Sequence, residues 1–212
     1  RAAAAAGPKP PHARNLYRKA YQSAIDGMVF GDDPDVGVIL GREFSHRALR
    51  FRFSVPEGFR LINRPRAVIA QNERLRSTIV FDMDTRRSGG GLGDYITRDW
   101  AKRRLNDVEG LTVNGLPAAT GWFVMDTKRG RMVARLIAIR AERNQIFRFL
   151  FFSPPNVTKR LSRPFRRTTY SFRRLTSREA EMITPLRLRV QKYGGKSRKD
   201  LVRHMQVESH AK

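Results

Sequence analysis

The residues of this 212-residue chain that could do chemistry are four histidines, two groups of close carboxylates and one glycine run. The histidines are His12, His46, His204 and His210, and no two have the i, i+4 spacing with an intervening Glu that a zinc-peptidase helix requires. His204 and His210 are six apart, which puts them on different faces if helical, so solvated histidines are expected. Asp32, Asp33 and Asp35 form an acidic knot in a Pro/Gly turn, where Asp serves turns and caps. Asp82 and Asp84 fall on one face of a strand, and acid–base work would need them in a pocket that separates their pKa values. Just ahead of a glycine loop, that pair could alternatively hold a cation weakly. The run Gly89 to Gly93 lacks both the GxxxxGK[ST] lysine and hydroxyl and the GxGxxG spacing, and no parallel βαβ unit surrounds it. It reads as a flexible loop. There is no GxSxG elbow and no cysteine, so serine-elbow and thiolate chemistry and disulfides are excluded. No catalytic centre is recognisable, and no cofactor or metal is expected in this chain.

Charge is the stronger signal. The chain carries 34 Arg and nine Lys against 19 acidic residues, for a net charge of +24. Such a field attracts nucleic acid, anionic lipid headgroups or acidic glycans. The arginines are spread along the chain, at Arg14, Arg50, Arg74, Arg103, Arg135, Arg166 and Arg189 among others, and alternate with core positions. A dedicated nucleic-acid arm concentrates its charge in one block instead. The most suggestive segment is PFRRTTYSFRRL, 164–175, where aromatics interleaved with Arg pairs could stack bases and neutralise phosphates. As a strand, its Tyr170 and Phe172 would point inward and Thr169, Ser171 and Arg173 outward, which favours a core strand over a base-stacking platform. Arg166, Arg167, Arg173 and Arg174 are the residues nominated for a polyanion.

The elements that would position these groups follow from periodicity. Residues 14–29 place Leu16, Ala20, Ala24 and Met28 at helical spacing, and GDDP at 31–34 ends that helix. ALRFRFSV then alternates apolar and solvated positions as a half-buried strand, and FRLIN, AVIAQ (67–71) and STIVFDMD (77–84) read as further strands. A helix is predicted over Asp94–Leu105, with Tyr95, Ile96, Trp100 and Arg103 on neighbouring turns and Asp94 as N-cap. Asn114-Gly115 marks a hairpin. Residues 131–155 read as two long strands joined near Glu142–Gln145, the first apolar on both faces. A helix over Val157–Thr168 capped by Asn156, then TTYSF as a closing strand, complete the domain. Short turns force antiparallel pairing, so the expected class is α+β, an antiparallel sheet packed by helices. After it, LRLRV (186–190) is a short strand and SRKDLVRHM a helix, a short βα appendage. No apolar run approaches the roughly 20 residues that cross a bilayer, since Ile146 to Phe152 is interrupted by Arg148.

Several strings together, GREFSHRALRFRFSVPEGFRLINRPRAVIAQ, VNGLPAATGW, RLIAIR, IFRFLFFSPP and FRRTTYSFRRLTSREAEMITPLRLRV, resemble the C-terminal region of BepA-like bacterial metallopeptidases. These are periplasmic, HExxH-bearing, TPR-associated zinc enzymes, and the resemblance covers about 15 to 192. It implies that a zinc-bearing catalytic domain precedes this region; the opening on Arg1 and an alanine and proline stretch reads as a linker or cut edge, so the chain is expected to be a fragment or a processed product. VQKYGGKSRKDLVRHM sits where a LysM-like segment begins in that family, in degenerate form, with Lys196 and Ser197 where an Asp-Thr pair is usual. FSVPEGF and the strand order resemble the PsbP/Mog-type α/β sandwich. The implied organisation is a linker at 1–13, an N-terminal helix at 14–35, an α/β accessory domain at 36–176 and a partial LysM-like appendage at 177–212. The implied function is a non-catalytic accessory domain of a secreted zinc metalloendopeptidase in envelope protein quality control. Its implied place is the bacterial periplasm or envelope, and its implied partners are its own catalytic domain and envelope proteins or glycan. The alternative is a free-standing Arg-rich module that binds nucleic acid or an anionic envelope surface.

Overall fold

The computed structural model describes residues 11–30, 35–85, 90–128, 130–142, 144–191 and 194. They fall into two compact units, Asp32–Thr184 and a smaller one made from both ends of the chain.

In the larger unit every strand pairing is antiparallel. A four-stranded sheet contains β2 (Val38–Leu40), β3 (Glu43–His46), β4 (Phe51–Ser54) and β12 (Arg173–Arg174), in the order β12-β4-β3-β2. The larger sheet contains β5 (Arg60–Arg64), β6 (Ala67–Asn72), β7 (Ser77–Asp84), β8 (Asn106–Val113), β9 (Leu116–Thr127), β10 (Gly130–Glu142) and β11 (Gln145–Ser153). Its order is β5-β6-β7-β11-β10-β9-β8. Alternation in the sequence became alternation in space: β4 buries Phe51 and Phe53 while Arg52 and Ser54 stay half-exposed. At the predicted hairpin, Asn114 and Gly115 take φ of 47° and 83°, the pair of positive values that a type I′ turn demands.

The sheets enclose an aromatic core. Phe81 of β7 lies with its ring centroid 4.5–6.0 Å from those of Phe51, Phe53, Phe147, Phe149 and Phe172. The helix α3 (Pro155–Ser171) closes this side, burying Leu161, Phe165, Thr168 and Thr169. Phe165 meets Phe59 and Phe151 at 5.9 and 4.7 Å. The opposite face of the large sheet carries a second core, in which Ala119, Leu136, Ala138 and Ile146 lie under α2 (Leu92–Asp94) and the π-helix Tyr95–Trp100 that continues it.

Several sequence expectations change here. Asp94 does not cap its helix: the helix begins at Leu92 behind Gly91, and Asp94 sits inside it, 3.5 Å from Arg98. It also stops at Trp100, so Arg103 lies beyond it, over the Phe123 ring at 4.5 Å. TTYSF is not a strand. α3 starts at Pro155, with proline at the first turn in place of an Asn156 cap, and runs to Ser171. Leu161, Phe165, Thr168 and Phe172 recur at helical spacing and are all buried, which overrides the short alternation of 169–173.

In the smaller unit, α1 (Pro11–Ile25) ends at Gly27, whose φ of +82° suits a left-handed helix stop. A two-stranded ribbon pairs β1 (Val29–Phe30) with β13 (Leu186–Arg187). Arg187 and the Val190 N–H tie it to the Gly27 carbonyl and the Asp26 carboxylate, at 2.7 and 2.9 Å. The helix expected over SRKDLVRHM and Gly89, the first residue of the glycine run, lie outside the described residues. Among the described residues no helix is long and apolar enough to cross a membrane.

Phe81→Ala is expected to cost about 3–5 kcal/mol of stability in urea denaturation, because five rings close around that side chain. Val124→Ala, at an exposed position, should stay within about 0.5 kcal/mol of wild type.

Candidate polyanion-binding surface

The segment PNVTKRLSRPFRRTTYS forms α3 because its apolar residues recur on one face, with Pro155 preorganising the first turn. That face is fixed at its C-terminal end by several bonds. Ser171 Oγ accepts from the Ser54 N–H at 2.8 Å and donates to the Thr168 carbonyl at 2.7 Å. Asn114 of the hairpin donates to the carbonyls of Tyr170 and Phe172, both at 2.8 Å, satisfying groups a helix end leaves open. With the inner face held, the outer face is imposed: Lys159, Arg160, Arg163, Arg166 and Arg167 are all exposed. α3 contains no acidic residue, and among the described residues none of these five cations has an acidic partner. The ridge extends along a helix about 25 Å long.

The four arginines nominated from sequence thus separate. Arg166 and Arg167 belong to the ridge, Arg166 with its guanidinium 5.7 Å from the Tyr170 ring. Arg173 and Arg174 lie in β12 and are engaged within the fold. Arg173 makes a two-pronged pair with Glu179 at 2.5 and 3.1 Å. Arg174 reaches Gln145 at 3.0 Å and Glu142 at 3.5 Å. Glu179 also closes a capping box with Thr176 at the start of α4 (Ser177–Glu181). The Arg173 guanidinium, helped by Thr176, pulls the Glu179 carboxyl down to about 2.

Sequence reasoning missed Lys159, Arg160 and Arg163. The available signal was their spacing with Arg166 and Arg167 at i, i+4 and i+7 along a segment already expected to be helical, combined with the absence of any carboxylate. Of the aromatics that invited a base-stacking reading, Phe165 and Phe172 are buried and only Tyr170, expected to point inward, is exposed.

Asp82 and Asp84 do share a strand face, but Arg148 occupies both. Its Nε and Nη2 donate to Asp82 at 2.7 and 2.6 Å, and Nη1 donates to Asp84 at 3.3 Å. The Tyr95 hydroxyl donates to Asp84 at 2.8 Å, and the Arg148 guanidinium lies 4.9 Å from the Trp100 ring. The π-turn brings Tyr95 and Trp100, five apart, onto this one arginine. Burial, then the bond to Asp84, pushes the Tyr95 hydroxyl up to about 12, so it stays protonated. Burial opposes the charge on Arg148, yet the Asp82 carboxylate outweighs it and raises its pKa. An ion pair so completely engaged has neither the free carboxylate of an acid–base couple nor that of a cation site. Among the described residues no three His, Asp or Glu side chains are placed to hold a metal. Of the four histidines, His46 is half-buried instead of solvated; burial lowers its pKa against an opposing pull from Asp35. The side chains of His12, His204 and His210 lie outside the described residues.

No family model matches this chain, and no curated protein does. Solved structures do. A protein from Bacteroides thetaiotaomicron matches over 66% of this chain and 51% of its own, at 10% identity and TM-score 0.49. The chain thus spans about half the length of that protein. The cyanobacterial PsbP of Synechocystis sp. PCC 6803 matches over 68% of this chain and 98% of its own, at 13% identity and TM-score 0.48. The Saccharomyces cerevisiae Ran-binding protein Mog1p matches over 66% and 98%, at 13% identity and TM-score 0.45. Two of these bear the names that FSVPEGF and the strand order suggested. At such identities and scores, no partner or activity passes from them to this chain.

Glu179→Gln should flatten the acid limb of the stability profile. A carboxyl held low in the fold contributes fully above its ordinary 4.5, and the contribution fades as pH falls through about 2. Urea midpoints of wild type and variant are therefore expected to differ near neutrality and to converge across that window.

Proposed function

We propose that the chain is an accessory binding domain of the bacterial cell envelope that holds a phosphate-bearing anionic surface against the outward face of α3. The observation that carries this reading is the ridge of five exposed cations on a helix without a carboxylate. Arginine supplies four of the five, and its planar fork matches phosphate oxygens in pairs. Tyr170, with Arg166 near its ring, is the one aromatic exposed on the ridge, which disfavours a single-stranded nucleic acid that must stack its bases. A lipid headgroup surface needs no stacking, only a basic face within a Debye length.

The setting is our reading of the strings that resemble BepA-like metallopeptidases. On that reading the domain is the accessory part of a secreted zinc metalloendopeptidase in envelope protein quality control, with zinc in the catalytic domain and the ridge placing that domain at the envelope surface. Envelope proteins and glycan remain further partners, and the periplasm the compartment. Sequencing the coding DNA ahead of Arg1 tests this setting: an in-frame HExxH with a later Glu ligand supports it, and a start codon directly upstream overturns it.

The ridge is tested by co-sedimentation with phosphatidylcholine vesicles with and without phosphatidylglycerol. Binding should require the anionic lipid and weaken steeply with salt. Arg160→Gln, Arg163→Gln and Arg167→Gln together should lower the partition constant about a hundredfold, at about 1 kcal/mol per cation. Arg131→Gln, which removes a cation already paired with Asp126, should change it little. Equal binding by the triple variant, or tighter binding to duplex DNA than to anionic vesicles, would overturn the reading.

A further inference from the structure

The two faces of the large sheet are not equally covered. One carries the phenylalanine cluster, beneath the smaller sheet and α3. On the other, α2 and the π-turn lie against β8, β9 and β10, and Trp100 reaches Arg148 of β11. Over β5, β6 and β7 no helix of the larger unit packs on this second face.

The residues left there are apolar. The register pairs Ile62 with Ile69, Ile69 with Val80 and Val80 with Leu150, so these four form one row across four adjacent strands. At the usual strand spacing that row is about 14 Å long. Phe152, two residues beyond Leu150 on β11, extends the patch along the strand. All five are half-buried, and Ile62, Ile69, Val80 and Phe152 belong to neither core. Their neighbours in β6 and β7 that face the other way, Val68, Ala70, Ile79 and Phe81, are buried. Strands apolar on both faces are the kind that is covered on both sides, and here one of the covers is missing.

Charge decides what the second cover is. Arg60 and Arg64 stand at the two ends of β5, on the same side of the strand as Ile62, and both are exposed. Towards the other edge of the sheet, Arg103 lies over the ring of Phe123 in β9. None of the three has an acidic partner among the described residues. The strands' own carboxylates on this face, Asp82 and Asp84, are held by Arg148. A second copy of the chain would set these cations against their own kind, with +24 on each molecule opposing the approach. The same field draws in a partner that brings carboxylates.

We propose that this half-covered face docks an acidic amphipathic helix of a partner protein. Its apolar stripe lies on Ile69, Val80, Leu150 and Phe152, beside the π-turn. Carboxylates along its flanks meet Arg60 and Arg64 on one side and Arg103 on the other. A helix laid on an open sheet face is the usual way such a layer is completed. None of these residues belongs to the α3 ridge, so the docking stands whether or not that ridge meets a lipid.

Isothermal titration of the full chain with an amidated peptide of about 18 residues, leucines at i, i+3, i+4 and i+7 and glutamates on both flanks, tests this. A second peptide of the same composition, its leucines dispersed around the helix, keeps the charge and removes the stripe. The patterned peptide should saturate one site, and the dispersed one should bind about tenfold more weakly or worse. Arg60→Glu with Arg64→Glu, both at exposed positions, should weaken the patterned peptide about tenfold and strengthen a lysine-flanked counterpart. Ile69→Thr with Val80→Thr keeps the β-branched shape and should weaken the patterned peptide by a similar factor, with the thermal melt confirming the fold. The triple α3 variant should bind it as wild type does. Absence of saturable binding, equal binding of the two peptides, lost binding in the α3 variant or unchanged affinity after the Arg60/Arg64 reversal would overturn the proposal. So would a dimer of the free chain that the Ile69/Val80 variant dissolves, since a second copy would then be the cover.

Discussion

The packing of Phe81 against five other rings is the constraint on which the larger unit depends. Those rings come from β4, β7 and β11 and from Phe172, the residue immediately after α3. Bringing Phe172 to the cluster fixes where α3 must end, and Phe165 against Phe59 and Phe151 fixes which face it turns inward. The exposed cationic ridge is therefore a consequence of apolar burial.

On the other side of the large sheet, order is imposed by polar groups. Arg148 has a half-buried side chain between two carboxylates, a phenol and an indole face. Such an ion pair adds little net stability compared with an apolar filling of the same volume, because desolvation offsets attraction. It does penalise alternatives, since a one-residue slip of β11 against β7 would turn Arg148 into the aromatic core. The π-turn belongs to the same arrangement, carrying both Tyr95 and Trp100 to one guanidinium.

Much of this was legible in the sequence for a simple reason: strands covered on one face write their burial into alternate residues. β4, β6 and β7 read directly, and Asn114-Gly115 announced its turn because few residue pairs tolerate two positive φ values. What stayed hidden depended on tertiary context. Nothing local says that Thr169 continues a helix; its hydroxyl bonds back to the Phe165 carbonyl only because Phe172 is drawn into the core. The division of four nominated arginines was hidden too, since Glu179 and Glu142 are found by folding and not by spacing.

The composition of α3 argues that its face is selected for something other than stability. Lys159 and Arg163, then Arg163 and Arg167, stand at i, i+4, and Arg163 stands at i+3 from Arg160. Each such like-charged pair opposes the helix by about 0.2–0.5 kcal/mol. The first turn carries no acidic residue and the last no basic one, so the helix dipole is left without its usual partners at both ends. Elsewhere in the same unit, α4 shows that the chain can build a complete capping box and a matched ion pair where stability is the object. Pro164 inside α3 weakens the helix further by removing one backbone donor. On the proposed reading, a helix that accepts these penalties while its inner face is pinned by Leu161, Phe165 and Thr168 keeps its cations on the outside for an anionic partner that relieves their mutual repulsion.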